Sequence, residues 1–148
     1  MLKSPVGSGG AIHLLSSQNI PNTLSEMGVK YIEVCSTTKM LSGWNPLLAG
    51  LVDLQGADVG FQISQDLSHM EEGFDLIFSV DFVKSLAKQM DKLHFEAILK
   101  ENPHVQLVEK EWVDIVPSSP NSYELRCSIY RCINACSLDK VCIMETVE

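Results

Sequence analysis

Segments with the character of strands and helices alternate along the first hundred residues, and this restricts the chain more than any other feature. A strand, a covering helix and a further strand read as a parallel sheet with crossover helices on its faces. The expected fold class is therefore α/β, a mostly parallel sheet with flanking helices. Residues 30–35 (K-Y-I-E-V-C) alternate and are rich in β-branched and aromatic side chains, as a strand requires. Residues 59–63 and 74–78 read as two more strands.

Local punctuation marks the helices. A short helix is expected from Ala11, and a second over 21–27, with Pro21 in its first turn and Gly28 as the residue that ends it. Asn45 before Pro46 reads as an N-cap followed by proline at the first helical position, with Gly56 as the stop. Ser79 caps a helix carrying Asp81 in its first turn, with an apolar stripe of Phe82, Val83, Leu86 and Met90. Residues 94–102 read as a short helix stopped by Pro103, 105–108 and 112–116 as strand-like, and 117–121 as a rigid turn.

Size and charge narrow the function classes. The chain has 148 residues, the length of one domain or part of one. With 11 basic against 19 acidic residues its net charge is −8, which disfavours nucleic acid as a partner. No stretch approaches the ~18 continuous apolar residues of a membrane span, and residues 1–10 lack the apolar run of a secretory signal. The expected location is cytoplasmic.

Four of the five cysteines, Cys127, Cys132, Cys136 and Cys142, are spaced C-x4-C-x3-C-x5-C, with Cys35 far upstream. Structural zinc sites use tighter pairs, so these read as small buried hydrophobes. The histidines His13, His69, His94 and His104 are scattered, and no two are spaced as a helical metal pair. Glu71-Glu72 reads as a solvated acidic turn. The one local motif with a mechanism is the loop Gly7-Ser8-Gly9-Gly10 before a helix. Glycines admit a ligand close to the backbone, and a helix N-terminus offers N–H donors to an anion. Turns use the same residues.

The order of the motifs resembles the UDP-N-acetylhexosamine pyrophosphorylases, within the wider UDP-sugar pyrophosphorylase family. There a P-x-G-N-G-G loop precedes a helix, and a strand G-[IV]-x-[FY]-[IV] runs into V-D-N. A D-P helix, a G-A-D-x-G-x-K-V strand, an F-[FT]-x-x-F-[LV] strand-helix and P-N-G-x-K-[LM]-E follow. This chain reads Pro5-Val6-Gly7-Ser8-Gly9-Gly10, Gly28-Val29-Lys30-Tyr31-Ile32, Asn45-Pro46, Gly56-Ala57-Asp58-Val59-Gly60-Phe61-Gln62-Ile63, Phe78-Ser79-Val80-Asp81-Phe82-Val83 and Pro120-Asn121-Ser122-Tyr123-Glu124-Leu125.

The resemblance implies an incomplete Rossmann-like nucleotidyltransferase domain. It is expected as one partial domain over residues 1–148, without the family's earlier glycine-rich phosphate loop. It implies chemistry joining UTP and a sugar 1-phosphate with release of pyrophosphate. It places nucleotide binding at Gly7, Ser8, Gly9 and Gly10, and a substrate contact at Asn121. The charged positions depart from the family. The V-D-N aspartate, a Mg²⁺ ligand by resemblance, aligns with Thr38 and its Asn with Lys39. A hydroxyl beside an ammonium is a poor site for a hard cation. Gln62 stands for a family lysine, and the acidic loop 65–73 replaces a segment holding a sugar-contacting Glu. Ser122, Glu124 and Arg126 stand for Gly, Lys and Glu, and Arg131 for an Asp. The expectation is a truncated or degenerate uridylyltransferase-like protein, a pseudoenzyme with no catalytic residue and no cofactor of its own. Alternatives are a module that docks on a full-length relative or binds uridine nucleotide or UDP-sugar weakly, and a fragment of a longer active pyrophosphorylase.

Overall fold

In a computed structural model, the structure describes residues 7–37, 44–64, 74–89 and 95–146. The readings for Thr38, Lys39, His69, Glu71, Glu72, Met90 and His94 lie outside the described residues.

Helices α1 (Gly10–Ser17) and α2 (Ile20–Glu26) open the chain. Gly28, in the left-handed region at φ +78°, turns it into β1 (Tyr31–Cys35). Helix α3 (Pro46–Gln55) starts where the Asn45 side chain accepts the Leu48 N–H, and it stops at Gly56, φ +58°. Strands β2 (Val59–Ser64) and β3 (Asp75–Ser79) follow. Ser79 Oγ accepts the Phe82 N–H at 3.1 Å and starts α4 (Val80–Ala87). Then come β4 (Glu96–Lys100), β5 (His104–Val108), β6 (Glu111–Ile115) and β7 (Ser122–Arg126). Two 3₁₀ segments, Ile129–Ala135 and Leu138–Lys140, lead to β8 (Val141–Thr146). Among the described residues no helix is long and apolar enough to cross a membrane.

The central sheet has the order β1-β3-β2-β8. The α/β class holds, but the mostly parallel pairing does not: β3 lies antiparallel to both β1 and β2, and only β2 and β8 pair in parallel. Loop length gives the reason. Parallel neighbours need a crossover of a dozen or more residues, and only residues 65–74 separate β2 from β3. The longer connection through α3 keeps β1 and β2 in one direction, with β3 inserted between them.

Both faces of this sheet are covered. On one face α3 packs Leu48 and Val52 over Ala57, Ile77 and Cys142. Gly60 lets it approach, since a Cβ there would collide with Val52. On the other face α1, α4 and the first 3₁₀ segment pack Ile12, Phe82, Val83, Leu86, Ile129 and Cys132 over Val59, Leu76 and Phe78. Each fully buried side chain of this size contributes about 1.5–3 kcal/mol. The expected stripe of Phe82, Val83 and Leu86 is thus core. So are Cys127, Cys132 and Cys142, free and buried, while Cys35 and Cys136 are half-buried.

The helix expected over 94–102 is instead β4. Its helix formers are overruled by a ladder to β7, with Leu99 opposite Tyr123 and Ala97 opposite Leu125. Strands β5 and β6 form a second ribbon, turned through Glu109 and Lys110 at φ 50° and 79°.

Candidate functional site

The loop Gly7-Ser8-Gly9-Gly10 crosses the chain between β7 and the first 3₁₀ segment. The Gly9 N–H donates to the Cys127 carbonyl at 2.9 Å, and the Ile129 N–H donates to Ser8 Oγ at 2.9 Å. A Cβ on Gly7 would come within 2.7 Å of the Cys127 carbonyl oxygen, and one on Gly9 within 2.7 Å of Cys127 Sγ. Gly7 also sits at φ +86°. The two glycines therefore have a packing reason to be glycine. The N–H groups of Gly10, Ala11 and Ile12 donate to the carbonyls of Gly7, Ser8 and Gly9 at 3.0–3.2 Å. The donors that open α1 are thus engaged within the chain, and an anion would have to displace these bonds.

Asn121 is elsewhere. Its Oδ1 accepts the Asn102 N–H at 2.9 Å and its Nδ2 donates to the Asn102 carbonyl at 3.0 Å, a side-chain amide acting as one more rung between β4 and β7. Strand β7, about 20 Å of extended chain, separates it from Cys127 and the loop. The structure does not bring Asn121 and the glycine loop together.

The departures around Asn121 are ion-paired. Glu124 accepts from Lys100 and from Arg126, the latter at 2.9 Å, and these bonds hold its carboxyl below the usual range. Arg131 pairs with Glu96.

A polar cluster missed by sequence reasoning lies where β1 and β2 end, the edge at which open α/β sheets take ligands. Alternation in β1 puts Tyr31, Glu33 and Cys35 on the face of α3. Glu33 is raised above its ordinary value, first by burial, then by a hydrogen bond to Asp75 and by that residue's charge. Glu33 Oε1 and Asp75 Oδ1 are both buried without a hydrogen-bond partner. Cys35, opposite Asp75 in the ladder, is pushed up by burial and then by the same two carboxyls. Asn45 Nδ2 donates to Gln62 Oε1 at 2.8 Å, so the glutamine standing for the family lysine is tied to the cap of α3. The signal available beforehand was the alternation of residues 31–35.

Among the described residues no group of three or more His, Cys, Asp and Glu is arranged to hold a metal. At the opposite edge of the sheet an open hollow of about 430 Å³ is lined by Ser25, Lys30, Tyr31, Asp58, Ser79 and Asp81. Two carboxylates against one ammonium make it a poor cradle for phosphate.

No protein-family model matches the chain, and no curated protein matches it. Solved structures do. A proposed UDP-N-acetylglucosamine pyrophosphorylase from Entamoeba histolytica superposes over 97% of this chain and 44% of its own, with a TM-score of 0.72 and 17% identity. UDP-glucose pyrophosphorylase from Leishmania major matches over 96% of this chain and 38% of its own, with a TM-score of 0.63 and 13% identity. A Trypanosoma brucei UDP-glucose phosphorylase gives a TM-score of 0.61 at 12% identity, over 95% and 36%. At such identities the likeness is one of fold: the chain folds as UDP-sugar pyrophosphorylases do, over less than half of their length.

Proposed function

We propose that this chain is a pyrophosphorylase-like module that does not carry out uridylyl transfer by itself. The observation that carries the reading is the glycine loop closed on Cys127 and Ile129, its donors engaged within the chain. Gln62 tied to Asn45, and a Glu33 carboxyl raised by its burial and by Asp75 beside it, support it. Transfer to a phosphate needs fixed positive charge at the developing negative oxygens, and this cluster supplies none. The chain spans 36–44% of its structural neighbours, which favours activity residing in a longer polypeptide with the same fold. The test is pyrophosphate release by the purified chain with UTP, Mg²⁺ and either N-acetylglucosamine 1-phosphate or glucose 1-phosphate. No turnover above background is expected; metal-dependent turnover would overturn the reading.

A second reading, weak uridine-nucleotide binding at Gly7, Ser8, Gly9 and Gly10, draws on the Leishmania enzyme, which has been solved with UDP-glucose. Titration of labelled chain with UTP and with UDP-glucose tests it through the amide resonances of these four residues and of Cys127 and Ile129. Resonances that stay fixed at millimolar ligand remove it.

A further inference from the structure

Glu33 and Asp75 are diagonal neighbours across the β1–β3 ladder, Glu33 opposite Ile77 and Asp75 opposite Cys35. Both lie on the α3 side of the sheet, as Ile77 does. Glu33 Oε1 and Asp75 Oδ1 are buried with no donor to bond them. An ionised carboxyl only accepts, so two of them cannot satisfy each other, whereas a proton on one makes it a donor. No cation in the surrounding elements replaces that proton: β1, α3, β2, β3 and β8 contain no Lys, Arg or His. The titratable groups nearest the pair are Cys35 and Tyr31 on β1, with Asp53 of α3 beside Tyr31. Strand β2 offers the neutral Gln62, and Glu145 of β8 alternates away from the face of Cys142 and Met144. Each of these groups adds negative charge or none.

The position of the pair gives it leverage. Strand β1 is an edge strand. Its ladder ends with Cys35 opposite Asp75 and with the Ser36 N–H, which donates to the Phe74 carbonyl at 2.9 Å. Glu33 also accepts from the backbone N–H of Asn45, the residue that caps α3 and bonds Gln62. We propose that Glu33 and Asp75 form a proton-operated latch on the end of β1. With one proton on the pair, the strand end is held against β3; with both carboxyls ionised, it parts from β3. The step is an ionisation in which Glu33 releases its proton to water. Two like charges then remain in a buried place without a counter-ion. Opening the last rung of an edge strand rehydrates both carboxyls and breaks few bonds, so the relief is local and the rest of the sheet stays paired. Burial, and after it the bond and charge of Asp75, hold the Glu33 carboxyl above its ordinary range. The latch is therefore closed on the acid side and opens as pH rises through the folded value. The segment it releases borders the edge at which open α/β sheets take ligands.

Native-state amide exchange of the whole chain, followed by NMR from about pH 4 to 8, reads the latch at the Ser36 N–H. Each rate is divided by the intrinsic rate at that pH, and the Glu33 side-chain carbonyl carbon is titrated in the same sample. Ser36 protection is expected to fall by about tenfold or more at the midpoint of the Glu33 titration, while the amides of β2 keep theirs. Glu33→Gln removes the titration, and Asp75→Asn removes the second charge. Either change is expected to make Ser36 protection independent of pH. Protection that stays flat in wild type overturns the proposal, as does a Glu33 carbon that does not titrate in this range. So does a fall whose midpoint differs from that of Glu33, or one that survives the substitutions. Should the substituted chains fail to fold, the two wild-type midpoints decide: coincidence supports the latch and separation sinks it. Neither nucleotide binding nor turnover enters these measurements.

Discussion

Ser79 holds Asp58 by two hydrogen bonds, its N–H donating to the Asp58 carbonyl at 2.8 Å and its Oγ donating to Asp58 Oδ1 at 2.7 Å. The same hydroxyl accepts the Phe82 N–H. One side chain thereby joins the end of β3, the first turn of α4 and the entry to β2. Ser79→Ala removes both a cap and a partly buried hydrogen bond, and it should cost about 1–2 kcal/mol. Urea unfolding at constant m-value measures this. A loss of only a few tenths would mean that the hydroxyl is dispensable.

Gly9→Ala drives a methyl into Cys127, and Gly7→Ala adds a left-handed φ to a similar collision. Overpacking of this kind costs about 1–3 kcal/mol. Both variants should unfold at lower urea than wild type, with Gly7→Ala the worse. Stability equal to wild type would show that the loop does not need glycine for packing, and would leave a ligand as the reason.

Glu33 gives the chain a pH signature. Its folded value is raised, so the native state keeps a proton that the unfolded chain releases. The stability this adds is full below the ordinary value of 4.5 and is lost as pH rises through the folded value. Glu33→Gln keeps a donor toward Asp75 without the titration. Its Tm should exceed that of wild type by a few degrees at pH 7.5, with the gap closing near pH 4. A gap equal at both pH values would contradict the assignment.

Cys132 is pushed up to about 11 by burial, with Cys127 beside it adding to the shift. At pH 8 its thiolate fraction is on the order of 10⁻³. A disulfide reagent followed by mass spectrometry should label Cys132 last in the native chain and as fast as the others in urea. Prompt native labelling of Cys132 would refute its enclosure.

What could be read from sequence was local. Asn45-Pro46, Gly56, Ser79 and Gly28 act on residues within four positions of themselves, and each marks the boundary it was expected to mark. What escaped was pairing at a distance. The E-A-I-L-K of β4 is made of good helix formers, and only Tyr123 and Glu124, more than twenty residues on, make it a strand. The Glu109-Lys110 turn carries neither the glycine nor the asparagine usual at left-handed positions. Strand β8 hides in the cysteine-rich run, where Cys142 and Met144 face α3. The candidate site followed the same rule: the glycine loop was visible as a string, but Cys127, which fills it, is nearly 120 positions away.

The parallel pairing of β2 with β8 sets a schedule for synthesis. From Ser64 to Val141 the ribosome adds 77 residues, about 4–15 s at ordinary elongation rates. Throughout that interval β2 has one bare edge, open to pairing with other nascent chains, and the face of α3 lacks Cys142. The Gly9 contact with Cys127 also waits for late residues. Closure of this sheet therefore waits for β8, and a ribosome stalled before Val141 holds a β2 edge with no strand to pair it.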